Sequence, residues 1–189
     1  DMDSAVTTGA YSSKARGIFM QYLRRFVVEG LYVHGSPATG IGCDYLVDSR
    51  INFNTLINCG KNNLGVNQGG AGISVALGGF SQGEFCDVSN NIIRSTVSSR
   101  YGILFESRLG TVQQMSHVKC LSNYIELSSP STAASIAGFV GIADSGAYRL
   151  FCHGNYVICN QNVNACIAST RGSSGVAGTS SLIANNDCI

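Results

Sequence analysis

Residues 152–159 read CHGNYVIC, and the reading of these eight positions decides the fold. Cysteine and histidine in close succession suit a zinc site, whereas the alternation of apolar side chains suits a β-strand. The rest of the chain resolves the choice, because the same frame returns four times. It consists of an apolar residue, two small or polar residues, Asn, any residue and an apolar residue. INFNTL from Ile51, VSNNII from Val88, CLSNYI from Cys120, CHGNYV from Cys152 and IANNDC from Ile183 all fit it. Their asparagines, Asn54, Asn91, Asn123, Asn155 and Asn186, are separated by 37, 32, 32 and 31 residues. VEGLYV from Val28 follows the frame with Leu31 in place of Asn.

A second frame alternates with the first, always in the same order. Gly-Ile opens an apolar run in GIFMQYL from Gly17, GIGCDYL from Gly40, GISVALG from Gly72, GILFES from Gly102 and GIADSG from Gly141, with CIASTRG from Cys166 as a degenerate copy. One Gly-Ile strand and one Asn strand therefore make a turn of 23 to 39 residues. Neither unit buries its apolar face alone, but stacked turns share one core and pair each strand above and below, which predicts a solenoid. Parallel stacking sets neighbouring strands ~4.8 Å apart, so residues in one frame form columns. A column of buried Asn can hydrogen-bond amide to amide and to the turn backbone. Glycine before isoleucine suits a turn position with φ > 0.

Composition agrees with an all-β chain. Of the 189 residues 12% are charged and 44% hydrophobic, with 23 Gly, two Pro and no Trp, a poor recipe for amphipathic helices. A net charge of +1 with dispersed cations offers no surface for a phosphate backbone, so nucleic acid is not an expected partner. No apolar run approaches the ~20 residues of a membrane span. The opening DMDSAVTTGAYSSKARG lacks signal-peptide character and does not start with Met, so the chain is expected to be one domain, residues 1–189, cut from a longer polypeptide.

These two frames, from about Gly17 to Ile189, resemble the right-handed parallel β-helix proteins of the pectin-lyase-like superfold. The register VVEGLYVHGSPATGIGCDYL from Val27 looks like the tail-spike and tail-associated β-helices of bacteriophages. The resemblance implies about six coils, an elongated surface that binds or cleaves carbohydrate, and, for a phage spike, a homotrimer. The leading expectation is a virion tail protein, assembled in the host cytoplasm with other tail proteins, that recognises a bacterial surface polysaccharide, with its depolymerisation left open between hydrolysis, elimination and binding alone. The alternatives are a secreted polysaccharide lyase, hydrolase or epimerase of the same fold, and a non-enzymatic adhesin or rod. Fold likeness does not choose the reaction.

The frames also place the cysteines and the candidate site. Cys120 and Cys152 occupy the apolar slot held elsewhere by Ile51, Val88 and Ile183, and Cys43 shares a slot with Val75 and Phe105, so cysteine here acts as a small buried hydrophobe in the reduced state. His153 adjoins Cys152 and strand neighbours face opposite ways, and a Cys152–Cys159 chelate needs a tight return that a strand forbids, so no metal or cofactor is expected. His34 and His117 belong to no motif and read as turn or surface residues. Counting from the glycine of the Gly-Ile frame, positions +1 and +3 point inward and +2 and +4 outward. Position +4 holds Asp44, Ala76, Glu106, Ser145 and Thr170, so two carboxylates stand in one outward column two coils apart. That is ~10 Å between backbones, within side-chain reach of the ~6.5–9.5 Å separation of an inverting glycosidase.

Asp144, one position earlier near its strand end, is expected to turn toward the same face, which makes Asp44, Glu106 and Asp144 the candidate catalytic residues. Tyr45, Tyr101, Arg108 and Arg171 flank the strand ends and are candidates for binding sugar rings and acidic glycans. The loops KNNLGVNQGGAG from Lys61 and SSPSTAASIAG from Ser128 are expected to wall a groove beside Glu106. No phosphate loop, nucleophile elbow, zinc-protease helix or EF-hand spacing occurs, and Asp44, Asp87 and Asp144 do not cluster as calcium ligands.

Overall fold

A computed structural model describes residues 16–44, 48–60, 70–77, 85–96, 101–107, 117–128, 140–147, 149–160, 163, 165–169 and 181–189. The first coil passes through β1 (Ile18–Gln21), β2 (Val27–Glu29) and β3 (Tyr32–His34), the second through β4 (Ile41–Asp44), β5 (Ser49–Asn52) and β6 (Thr55–Ile57). The third contains β7 (Ala71–Leu77), β8 (Cys86–Ser89) and β9 (Ile92–Ser95), and the fourth β10 (Tyr101–Ser107), β11 (Val118–Leu121) and β12 (Tyr124–Ser128). The fifth contains β13 (Val140–Ser145), β14 (Leu150–His153) and β15 (Tyr156–Asn160), and the sixth β16 (Ala165–Ser169), β17 (Leu182–Ala184) and β18 (Asp187–Cys188). Every third strand pairs in parallel, giving three six-stranded sheets: β1-β4-β7-β10-β13-β16, β2-β5-β8-β11-β14-β17 and β3-β6-β9-β12-β15-β18. The molecule is a parallel β-helix of about six coils.

Each coil has three strands where the sequence frames predict two. The Asn frame is a corner between the second and third sheets rather than one strand. Its cause is the residue just before the Asn position: Gly30, Phe53, Asn90, Ser122, Gly154 and Asn185 all have φ between 52° and 69°. Left-handed backbone turns the chain sharply and costs a residue with a β-carbon roughly 1–2 kcal/mol relative to glycine. Phe53 meets this cost while its side chain is 62% exposed. Phe53→Asn, which copies Asn90 and Asn185, is expected to raise stability by about 0.5–1 kcal/mol, read as a higher midpoint in urea unfolding.

The asparagines behind these corners form a continuous ladder. Asn54, Asn91, Asn123 and Asn155 are each 1% exposed. The Asn123 Oδ1 accepts from the backbone N–H and the Nδ2 of Asn91, both at 3.0 Å. Its own Nδ2 donates to Val88 O and to Asn155 Oδ1, both at 2.9 Å. Asn54, Asn91 and Asn155 repeat the pattern one coil at a time, so the amide oxygen and both amide hydrogens are all partnered. In the first coil Leu31 supplies only a backbone N–H, which donates to Asn54 Oδ1.

Inside the coils the apolar columns meet. Ile41, Ile73, Ile103 and Ile142 line up on the first sheet, with Cys43, Val75 and Phe105 one step further on. Val28, Ile51, Val88, Cys120 and Cys152 line the second sheet, and Val33, Leu56, Ile93, Ile125 and Val157 the third. All are buried, each fully buried aliphatic side chain contributing roughly 1.5–3 kcal/mol. The direct pairing of Cys120 with Cys152 agrees with cysteine filling an apolar slot.

The glycine of the Gly-Ile frame has a different cause from the one its sequence suggests. Gly17, Gly40, Gly72, Gly102 and Gly141 are not left-handed; they stand where the first sheet closes onto the third. A β-carbon there would lie 2.4–2.9 Å from a side-chain carbon of Val33, Leu56, Ile93, Ile125 or Val157, and 2.5–2.9 Å from the carbonyl oxygen of the next coil. Lateral room, not turn geometry, requires glycine.

Candidate functional site

The outward column of the first sheet is as the repeat predicts. Gln21, Asp44, Ala76, Glu106 and Ser145 are in register, which puts Asp44 and Glu106 two coils apart with Ala76 between them. The two carboxylates differ in surroundings: Asp44 is 5% exposed and its neighbour Ala76 is 0% exposed, whereas Glu106 is partly open to solvent.

Asp144 does not join them. It pairs with Phe105 and so belongs to the inward column of Cys43, Val75 and Phe105, at 1% exposure. The period of two along a strand, stronger than the freedom of a strand end, fixes its direction. One carboxylate oxygen accepts from the backbone N–H groups of Gly146 (3.2 Å) and Ala147 (2.8 Å), and the other from the hydroxyls of Ser169 (3.1 Å) and Ser181 (3.3 Å). These bonds tie the turn after β13 and replace water around a buried charge.

Tyr101 also lies apart from Glu106. It opens β10, in register with Ala71 and Val140, five residues and therefore about 16 Å along the strand from Glu106. Tyr45, Arg108, Arg171 and Thr170 lie outside the described residues, as do most of the two loops expected to wall a groove.

A second set of side chains, on the outer face of the third sheet, was not anticipated from the frames. Tyr32, Thr55, Ile92, Tyr124, Tyr156 and Asp187 form one outward column, and His34, Ile57, Arg94, Glu126 and Ile158 run beside it. The rings of Tyr124 and Tyr156 stack with centroids 5.7 Å apart. Arg94 Nε donates to Glu126 Oε2 at 2.8 Å, and the Tyr124 hydroxyl donates to the same oxygen at 3.3 Å. Desolvation, then the Glu126 carboxylate, pushes the Tyr124 phenol up, which keeps it a hydrogen-bond donor. Tyr32 is 70% and Tyr156 38% exposed.

Around the corner on the second sheet, Phe151 stacks on His153 at 5.6 Å, and His153 meets the Asn185 amide at 2.9 Å. Cys152 between them points into the core, so Cys152 and His153 face opposite ways. The column Arg50, Asp87, Lys119 alternates in sign along the same sheet. The sequence signal for the tyrosine row was the unconstrained slot after each Asn, which holds Tyr in both CLSNYI and CHGNYV.

Among the described residues no helix is long and apolar enough to cross a membrane, and no group of three His, Cys, Asp or Glu side chains is arranged to hold a metal ion. Comparison of the chain with protein-family models, curated proteins and solved structures finds no match, so its likeness to parallel β-helices rests on the repeat and the sheet topology.

Proposed function

We propose that this β-helix is part of a bacteriophage tail spike or tail fibre that recognises a bacterial surface polysaccharide. The observation that carries the proposal is the row of outward tyrosines on the third sheet, flanked by the Arg94–Glu126 pair and held on a backbone that repeats every coil. The ring edges and hydroxyls of the stacked tyrosines line an outward surface, while carboxylate and guanidinium groups bind sugar hydroxyls and acidic substituents in directed pairs. The two adjacent rings, ~4.8 Å apart in backbone spacing, and the ion pair beside them give a bound chain neighbouring aromatic and charged contacts. Five of the eight cysteines are buried in the core as small apolar side chains, which suits assembly in a reducing host cytoplasm before incorporation in the virion tail. A homotrimer and contacts with other tail proteins belong to this reading.

Cleavage of the bound glycan is a second element, favoured by the register of Asp44 with Glu106. The two carboxylates stand in different surroundings, Asp44 enclosed and Glu106 partly open, as the two unlike roles of an inverting pair require. Tyr45, Arg108 and Arg171 follow β4, β10 and β16 in sequence and are the further proposed substrate contacts.

The test is a panel of capsular and O-antigen polysaccharides offered to the intact protein, with binding and new reducing ends measured separately. Tyr124→Ala and Tyr156→Ala are each expected to weaken binding about tenfold, the equivalent of ~1.4 kcal/mol. Asp44→Asn and Glu106→Gln are expected to abolish new reducing ends while leaving binding intact. Binding with unchanged cleavage in those two variants removes them from the reaction. Unsaturated ends point to a lyase, and no binding to any glycan leaves a structural rod.

A further inference from the structure

The first sheet closes onto the third through one residue pair per coil, and both members of that pair change together in the last coil. In the first five coils the pair is glycine against an aliphatic side chain: Gly17 with Val33, Gly40 with Leu56, Gly72 with Ile93, Gly102 with Ile125 and Gly141 with Val157. In the sixth coil both members are cysteine. Cys166 occupies the glycine position, next to Gly141 in register, and Cys188 occupies the aliphatic position, paired with Val157. A β-carbon in the glycine position comes within 2.4–2.9 Å of its partner's side-chain carbon in the other five coils. Except at Leu56 that carbon is a γ-carbon, so two β-carbons in these positions lie no more than about one bond further apart, within the reach of the ~3.5–4.5 Å that a disulfide spans.

We infer that Cys166 and Cys188 are a dithiol–disulfide pair that ties the first sheet to the third across the sixth coil. Both are free thiols, Cys188 exposed and Cys166 half-buried, and both line an open cavity of ≈ 470 Å³ beside Ile183 and Asn186. Burial, then the neighbouring Cys166 sulfur, pushes the Cys188 thiol up. Cys159 on β15 is the rival partner for Cys166; it lies one coil away, and burial, then Cys166, pushes its thiol up too. Burial likewise pushes up Cys43, Cys59, Cys86 and Cys120, which face the core.

The oxidant is a small disulfide such as oxidised glutathione. The Cys188 thiolate attacks it, forming a mixed disulfide and releasing one small thiol; the Cys166 thiolate then attacks the Cys188 sulfur and releases the second. Two protein thiols are oxidised by two electrons, one small disulfide is reduced to two thiols, and no other reactant is needed.

The experiment treats the full chain with oxidised glutathione, alkylates remaining thiols and digests with trypsin, which cuts after Arg149 and Arg171 and so separates the two cysteines. A linked peptide pair containing Cys166 and Cys188 is expected, reversed by a dithiol reductant and accompanied by a rise of a few degrees in the unfolding midpoint. The link is expected to persist in Cys159→Ser and to vanish in Cys166→Ser and Cys188→Ser. The double variant Cys166→Gly/Cys188→Val recreates the pair of the fifth coil and is expected to fold without forming it. A link lost with Cys159→Ser but kept with Cys188→Ser, or only a glutathione adduct on the folded protein, overturns the inference.

Discussion

Asn123→Ala is expected to destabilise the protein by about 3–5 kcal/mol, the largest loss foreseen for any single side chain described above. The substitution strands three buried groups together: the backbone N–H and one Nδ2 hydrogen of Asn91, and the carbonyl of Val88. Each unpaired buried group costs ~1–3 kcal/mol, and relaxation recovers part of the sum. Asn123→Asp is no remedy. It keeps the two acceptor contacts but loses both donors and adds a charge where exposure is 1%. Asn186→Ala, on the partly exposed final rung, is expected to cost no more than ~1 kcal/mol, because water reaches the groups it leaves behind. Urea unfolding of the two alanine variants checks the contrast, and equal losses in both would show that the ladder contributes nothing through burial.

Gly102→Ala is expected to cost about 2–3 kcal/mol, although alanine is ordinarily the better residue in a strand interior. The added methyl group would lie 2.6 Å from the Gly141 carbonyl oxygen and 2.6 Å from Ile125 Cγ2. The side-chain neighbour can be cut back but the carbonyl belongs to a backbone paired on both sides, so Ile125→Ala in the same chain is expected to rescue only part of the loss. The double-mutant cycle of Gly102→Ala and Ile125→Ala measures that coupling. Gly30→Ala is the matched control. Nothing lies within 4 Å of a β-carbon there, and φ is +69°, so only the left-handed penalty of roughly 1–2 kcal/mol remains. Equal effects at the two positions would mean that crowding between the sheets is not what selects glycine at Gly102.

These contrasts also show what could be read from the chain by itself. Spacing alone revealed the Asn column and the alternation of frames, because a one-residue error would turn every side chain of a strand over. The same rule gave the register of Asp44 with Glu106. It also puts Asp144 on the inner face, since position +3 is inward in Cys43, Val75 and Phe105 and the strand period holds whatever the polarity of the side chain. The third sheet stayed hidden because one corner residue in the left-handed region splits an apparently continuous strand, and Phe53, Asn90 and Ser122 share no side-chain chemistry to announce it. The tyrosine row was hidden for the same reason: without the corner, the face of Tyr124 and Tyr156 was not separated from the strand before it.

The amide ladder has a direction. From Asn54 to Asn186 every side-chain oxygen faces the preceding coil and receives its hydrogens, and every link toward the following coil is a donated one. The carbonyl dipoles therefore add head to tail, as peptide dipoles do in a helix. Such a column can be lengthened or shortened by whole coils taken in chain order, since each new rung offers an oxygen to the rung before it. A coil grafted in reverse would set oxygen against oxygen at one face and hydrogen against hydrogen at the other, so the repeat behaves as a one-way alphabet for building longer or shorter rods.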